Sequence, residues 1–350
     1  MIASAKYQPP GVLRQLWDTA LALLDDDKGI LAMDESIATC NARFAKLGIP
    51  QTVDARRDWR ELIVTTPKLR EAISGVILYD ETLRQKTKDG NPFLEAVAAA
   101  GIIPGIKVDA GAKVMAGHPR ETITEGLDGL RDRLAEYASL GVRFAKWRAV
   151  ITLSYDTPSR ACIEANAHAL ARYAALCQEA GLVPIVEPEL LMDGARSLEH
   201  SRDVTCELLH AVFEQLYTQQ VVLDAMILKP NMVLPGLVSP SEETLDEVAD
   251  TTVRCLMQTV PAAVPGIAFL SGGQPGPLAS ARLNAMNVRY KAQAPWALTF
   301  SFARALQQPA LDIWAGQAAN VPVAQKALYH RASCNRAARR GEYSAAMELS

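Results

Sequence analysis

The 350-residue sequence lacks the features that would place it in a specialised class of protein. It has no apolar run long enough to span a bilayer, and its opening MIASAKYQPPGVLRQL lacks the apolar core of a secretory signal. It has almost no excess of one charge. With 36 Lys and Arg against 39 Asp and Glu, the net charge of −3 provides no general field for nucleic acid or an anionic membrane. Six cysteines (40, 162, 177, 206, 255, 334) make no CxxC pair and no regular spacing, which excludes a disulfide framework and points to reduced thiols in a cytoplasm. The five histidines (118, 168, 200, 210, 330) offer no HxH or HExxH spacing. Each reads as a surface or helix-face residue in a helix or loop, and neither a metal nor another cofactor is expected. Low-complexity linkers and compositional breaks are missing too. The expectation is therefore one soluble cytoplasmic domain over 1–350, with a helical segment at about 1–28 and a C-terminal helix and short tail at about 322–350.

What the sequence does contain is a recurring alternation. Short apolar stretches, GILAMD (29–34), ISGVILYD (73–80), IIPGIKVD (102–109), VRFAKWRAVI (142–151), LVPIVEPEL (182–190), AMILKPNMV (225–233), GIAFLSGG (266–273) and WALTFSF (296–302), are separated by longer amphipathic ones. Nearly continuous apolar character marks strands buried on both faces, as in a parallel sheet. CIEANAHALARYAALCQEAG and DVTCELLHAVFEQLYTQQ have the apolar spacing and end residues of helices. Eight strand–helix units predict an α/β fold, a single (β/α)8 barrel. A doubly wound sheet is the alternative, but no GxGxxG follows the first strand.

Charged residues interrupt these strands. Asp34 closes the first, Lys107 and Asp109 the third, Lys146 and Arg148 sit in the fourth, Glu187 and Glu189 in the fifth, and Lys229 in the sixth. The two-residue spacing of Lys146/Arg148 and Glu187/Glu189 turns both members of each pair to one side of their strand. Ion pairing alone rarely justifies burying so many charges, whereas a cavity at the C-terminal rim of a barrel does. In such a cavity a buried Lys229, with cationic Lys146 nearby, is an amine able to attack a carbonyl. Glu187, or its neighbour Glu189, would move the protons, and Asp34 would take one from a substrate hydroxyl. Ser271, Gly272 and Gly273 end the seventh strand where backbone amides can approach an oxyanion. Arg304 follows the eighth strand and can grip a phosphate. Arg43, Ser36 and Lys107 would hold a second phosphate opposite.

Taken in order, GILAMDES, PGIKVDAG, RFAKWRAV, GLVPIVEPELLMDG, ILKPNMVLPG, VPGIAFLSGGQ, LNAMN and ARALQ resemble class I fructose-1,6-bisphosphate aldolases over nearly the whole chain, most closely the plant and bacterial branch. The resemblance implies reversible cleavage of fructose 1,6-bisphosphate to dihydroxyacetone phosphate and glyceraldehyde 3-phosphate, in glycolysis and gluconeogenesis. It makes Lys229 the Schiff-base lysine and Glu187 the main proton carrier, assisted by Asp34 and Lys146. It gives Ser271, Gly272, Gly273, Ser301 and Arg304 to the phosphate of the ketone half, and Arg43, Ser36, Lys107 and Arg148 to the sugar phosphate. It also implies a homotetramer, with sugar phosphates as ligands and neither nucleic acid nor membrane as partner.

The sequence departs from the family pattern in two ways. It ends in GEYSAAMELS without a terminal tyrosine, Tyr343 being a poor substitute. Ala110 and Ala42 stand where lysine is usual, which reduces charge around the second phosphate and predicts weaker discrimination between bisphosphate and monophosphate. A Schiff-base aldolase for sedoheptulose 1,7-bisphosphate and a phosphosugar-binding scaffold without catalysis are the competing readings. Two charge runs, DDDKG at 25–29 and RASCNRAARR at 331–340, read as an exposed helix end and a solvated helix face.

Overall fold

A computed structural model describes residues 10–154, 158–191, 193–194, 196–236, 238–239 and 243–349. Each apolar stretch forms a parallel strand: β1 (Gly29–Ala32), β2 (Ile73–Leu78), β3 (Ile103–Lys107), β4 (Phe144–Thr152), β5 (Val183–Leu191), β6 (Ile227–Leu228), β7 (Gly266–Phe269) and β8 (Ala297–Phe300). They pair in sequence order. The barrel closes where the amide of Ala32 donates to the carbonyl of Phe302 at 3.1 Å. Helices follow the strands and pack outside them. This is the (β/α)8 barrel expected from the alternation.

Period-two geometry divides the inner face of the barrel into two storeys. Ile30, Ile77, Phe144, Val183, Ile185, Ile227 and Ala268 form one apolar cluster. Leu16, Ala20, Leu23 and Leu24 of the helix Pro10–Leu24 complete it, so that helix plugs the end where the strands begin. Moving two residues at a time along the strands, Phe144 leads to Lys146 and Arg148, Ile185 to Glu187 and Glu189, and Ile227 to Lys229. The polar storey is thus the C-terminal continuation of the same inward columns. Gly105 belongs to the lower storey for lack of room. A Cβ there would lie 2.2 Å from the Phe144 ring.

Two features differ from the sequence-based expectations. First, residues between β3 and β4 form an antiparallel hairpin, Gly111–Met115 with His118–Glu125. It is pinned to β4 by Thr122 Oγ1 donating to the Val150 carbonyl and Thr124 Oγ1 to that of Arg148. His118 therefore lies in a strand, against Glu121 at 2.9 Å, while the other four histidines lie in helices. Second, RASCNRAARR is not a solvated face. It belongs to the helix Val321–Arg340, in which Arg331 and Arg339 are buried. Arg339 donates to the carbonyls of Leu24 and Lys28, capping the end of the plug helix. DDDKG is the exposed helix end expected, with Asp25 and Asp26 exposed just past the helix Pro10–Leu24, and it also contacts the helix Val321–Arg340. Asp26 pairs with Arg336 at 3.0 Å, and Asp27 pairs with Lys291 at 3.1 Å. The helical segment expected at about 1–28 begins at Pro10, and residues 1–9 lie outside the described residues. No helix among the described residues is long and apolar enough to cross a membrane.

Candidate active site

The strand ends converge on a cavity of about 480 Å³. It is lined by Asp34, Ser36, Arg43, Lys107, Lys146, Arg148, Glu187, Glu189, Lys229, Ser271, Gly272, Gly273, Ser301 and Arg304, which is every site residue inferred from the sequence.

A chain of alternating charges runs through its floor. Asp34, two residues past β1, accepts from Lys146 Nζ at 2.8 Å. Lys146 lies 3.1 Å from Glu187, and the other Glu187 oxygen lies 3.2 Å from Lys229 Nζ. All four residues are buried, Lys229 being 3% exposed. Burial is the main cause that brings the Lys229 amine below the ordinary lysine value. Glu187 opposes it, and Lys146 adds to the lowering by charge repulsion. Burial also acts on Lys146, but Asp34 and Glu187 outweigh it and hold that group firmly cationic. Burial works upward on Asp34 and Glu187, yet the two lysines overcome it and keep both carboxyls below the usual range. One lysine is thus a fixed cation and the other is poised to lose its proton. Glu187 Oε2 faces the Lys146 ammonium at 3.1 Å and Oε1 faces Lys229, so the carboxylate touches both lysines and can take a proton from Lys229.

The rim is divided by how its cations are partnered. On one side Arg43 pairs with Glu35 at 2.6 Å, Lys107 with Asp109, and Arg148 with Glu189. Ser36 caps the helix Ile37–Lys46, its Oγ accepting from the Thr39 amide at 3.3 Å. On the other side, Gly272 and Gly273 adopt φ of +56° and +81°, which an L side chain resists. Gln274 holds the turn, its amide donating to the Ser271 carbonyl at 3.0 Å. Gly273 also makes room for Arg304, whose Nη2 lies 3.1 Å from where a Cβ would sit. Arg304 opens the helix Arg304–Trp314, whose first amides and dipole favour an anion. The Ser301 hydroxyl is buried and has no hydrogen-bond partner among the described residues. An unpartnered hydroxyl, a glycine turn, an arginine and a helix start in one corner suit the oxygens of a phosphate.

Two charged cavity residues were missed as site residues in the sequence. Glu35 bridges Arg43 and Arg60, and Asp109, noted as a strand-end charge only, holds Lys107 and accepts from the Arg148 amide at 3.2 Å. For Glu35 the signal was its place inside the quoted MDES. Ala110 lines the cavity, as expected of a position affecting the second phosphate. Ala42 is exposed and is not among the lining residues.

Comparison with known proteins decides the family. Residues 15–350 match the family model described as fructose-bisphosphate aldolase class-I. The chain belongs to the class I fructose-bisphosphate aldolase family. A probable fructose-bisphosphate aldolase class 1 of Xanthomonas axonopodis pv. citri is 54% identical over 95% of this chain and 99% of its own. The Arabidopsis thaliana protein called fructose-bisphosphate aldolase 4, cytosolic, is 49% identical over 92% of this chain and 82% of its own. Fructose-bisphosphate aldolase from Plasmodium falciparum, solved in complex with TRAP and a small molecule inhibitor, superimposes with a TM-score of 0.95 at 43% identity, over 97% of this chain and 98% of that one. Aldolases of this family bind sugar phosphates, and the charge division of the cavity fits such ligands.

Proposed function

We propose that the chain acts as one barrel domain that reversibly cleaves fructose 1,6-bisphosphate into dihydroxyacetone phosphate and glyceraldehyde 3-phosphate without a metal. The observation that carries this reading is the buried chain Asp34–Lys146–Glu187–Lys229 at the floor of the cavity of about 480 Å³. With Lys229 protonated, those four groups sum to zero charge. Passing its proton to Glu187, 3.2 Å away, keeps the sum at zero and frees the amine.

Neutral Lys229 attacks the substrate ketone, and Glu187 returns the proton to the hydroxyl that leaves as water. The resulting iminium withdraws electrons from the adjacent carbon. Asp34 accepts the proton of the substrate hydroxyl beyond it, the carbon–carbon bond breaks, and its electron pair passes into an enamine on Lys229. Protonation and hydrolysis then release the ketone phosphate. Lys146 keeps Lys229 unprotonated and Asp34 ionised through the cycle. Glu189, paired with Arg148, orients that guanidinium. Ser271, Gly272, Gly273, Ser301 and Arg304 bind the phosphate of the ketone half, and Ser36, Arg43, Lys107 and Arg148 receive the other one.

The test is borohydride reduction of the protein with dihydroxyacetone phosphate in EDTA, followed by peptide mapping. A stable adduct at Lys229 is expected. Ligand binding without an adduct on any lysine would sink the mechanism and leave a sugar-phosphate binding protein. A second reading concerns substrate range. The cations for the distal phosphate are already paired with acids and Ala110 adds no charge, so a monophosphate ketose should be cleaved about as efficiently as the bisphosphate. A strong bisphosphate preference in kcat/KM would refute it. A homotetramer and a cytoplasmic location complete the proposal, supported by the family and by the cytosolic label of the Arabidopsis relatives.

A further inference from the structure

The six cysteines look scattered in the sequence, but folding joins two of them. Cys206 lies on the helix Leu198–Thr218 and Cys255 on the helix Leu245–Thr259, and these helices pack against each other. Their sulfur atoms stand 2.8 Å apart across 49 residues of sequence. Cys206 is partly exposed, while Cys255 is buried behind it. Cys40, Cys162, Cys177 and Cys334 are also buried. Neither Cys206 nor Cys255 lines the cavity. The chain between them carries β6 and Lys229, so the two thiols bracket the strand of the proposed nucleophile in sequence.

We propose that Cys206 and Cys255 form a reversible disulfide that clamps together the helices preceding and following β6 in the chain when the thiol pool becomes oxidised. Oxidised glutathione is the co-reactant. The Cys206 thiolate attacks one glutathione sulfur, forming a mixed disulfide and expelling one glutathione thiolate. Cys255 then loses its proton and attacks the Cys206 sulfur, closing the protein disulfide and expelling the second glutathione. Two protein thiols are oxidised, one glutathione disulfide is reduced to two thiols, and the two protons released go to the two glutathione thiolates. Exposure assigns the first step to Cys206. Burial, the largest influence on the Cys255 thiol, pushes it well above the ordinary thiol range, which suits a resolving thiol that reacts only with a sulfur held against it. Little movement is needed because the sulfurs already touch. The closed loop restricts the unfolded chain, so the cross-linked protein resists unfolding better than the reduced one.

The experiment treats the full-length protein with oxidised glutathione under native conditions, followed by intact mass measurement and non-reducing peptide mapping. Expected are the loss of two hydrogens, a peptide joining Cys206 to Cys255, no retained glutathione, and a Tm that rises on oxidation and falls back with dithiothreitol. In Cys255→Ser the glutathione should remain on Cys206, and in Cys206→Ser position 255 should stay a free thiol. Glutathione persisting on Cys206 of the native sequence, or both thiols remaining free, would overturn the proposal. A cross-link without the reversible Tm rise would overturn the clamp.

Discussion

Lys229 meets two opposing demands: the neutral amine must be abundant enough to attack, and the group must sit beside a carboxylate that favours its cation. Burial and Lys146 pull in one direction and Glu187 in the other, and the net shift is downward. Protonation silences the amine, so borohydride trapping should decline as pH falls through the depressed Lys229 value. Lys146→Met removes the neighbouring cation and also releases Glu187 to hold the Lys229 proton. The acid limb of the trapping profile should therefore move to higher pH, and an unmoved or lowered limb would contradict the role given to Lys146. Arg304 is the rim cation without a carboxylate partner among the described residues, so it should contribute most to phosphate binding. Arg304→Ala should raise KM about 10- to 100-fold with a smaller change in kcat, the range of a lost charge-assisted hydrogen bond. Steady-state kinetics on fructose 1,6-bisphosphate check this.

Among the elements, the strands have the least tolerance, because β4, β5 and β6 must each present apolar groups below and charged groups above on one inward column. Gly105 beside Phe144 is the tightest point of the lower storey, with a Cβ position 2.2 Å from the ring. Gly105→Ala should cost about 1–3 kcal/mol by overpacking, and combining it with Phe144→Leu should return part of that loss in chemical denaturation. The helix Val321–Arg340 is held differently, by buried guanidinium groups. Arg339→Met strips two backbone carbonyls of their donor and should cost about 2–4 kcal/mol. An effect within about 0.5 kcal/mol would return this residue to the solvated face that the charge run suggested.

Across the whole molecule, the buried carboxylates tie stability to pH. Asp34, Glu35 and Glu187 all have folded pKa values below their ordinary ones, so the unfolded chain binds their protons more tightly. Their stabilisation is fully present above the unfolded carboxylate range near about pH 4 and is lost as pH falls towards the folded values. Thermal unfolding should therefore show Tm dropping from about pH 5 downward. A Tm flat over that interval would mean that these carboxyls are not held ionised. Light scattering in solution tests the proposed tetramer, with a monomer mass as the contrary outcome.

The sequence by itself pointed to the barrel, because continuous apolar runs at regular intervals are buried in a parallel sheet covered by helices, and no GxGxxG supports the doubly wound alternative. It also determined the candidate site, because charges at period two in such strands must share the inward side. Only the tertiary structure decided what each charge touches. Lys146 is the link between Asp34 and Glu187, Glu35 is the clamp on Arg43 and Arg60, and Arg304 has no carboxylate partner among the described residues. The hairpin after β3 escaped the sequence because its polar residues, as in HPRETITE, carry no strong apolar alternation and owe their pairing to β4. The buried arginines of the last helix and the meeting of Cys206 with Cys255 escaped for one physical reason. Residues far apart in the chain become neighbours through packing, and local composition carries no record of the partner.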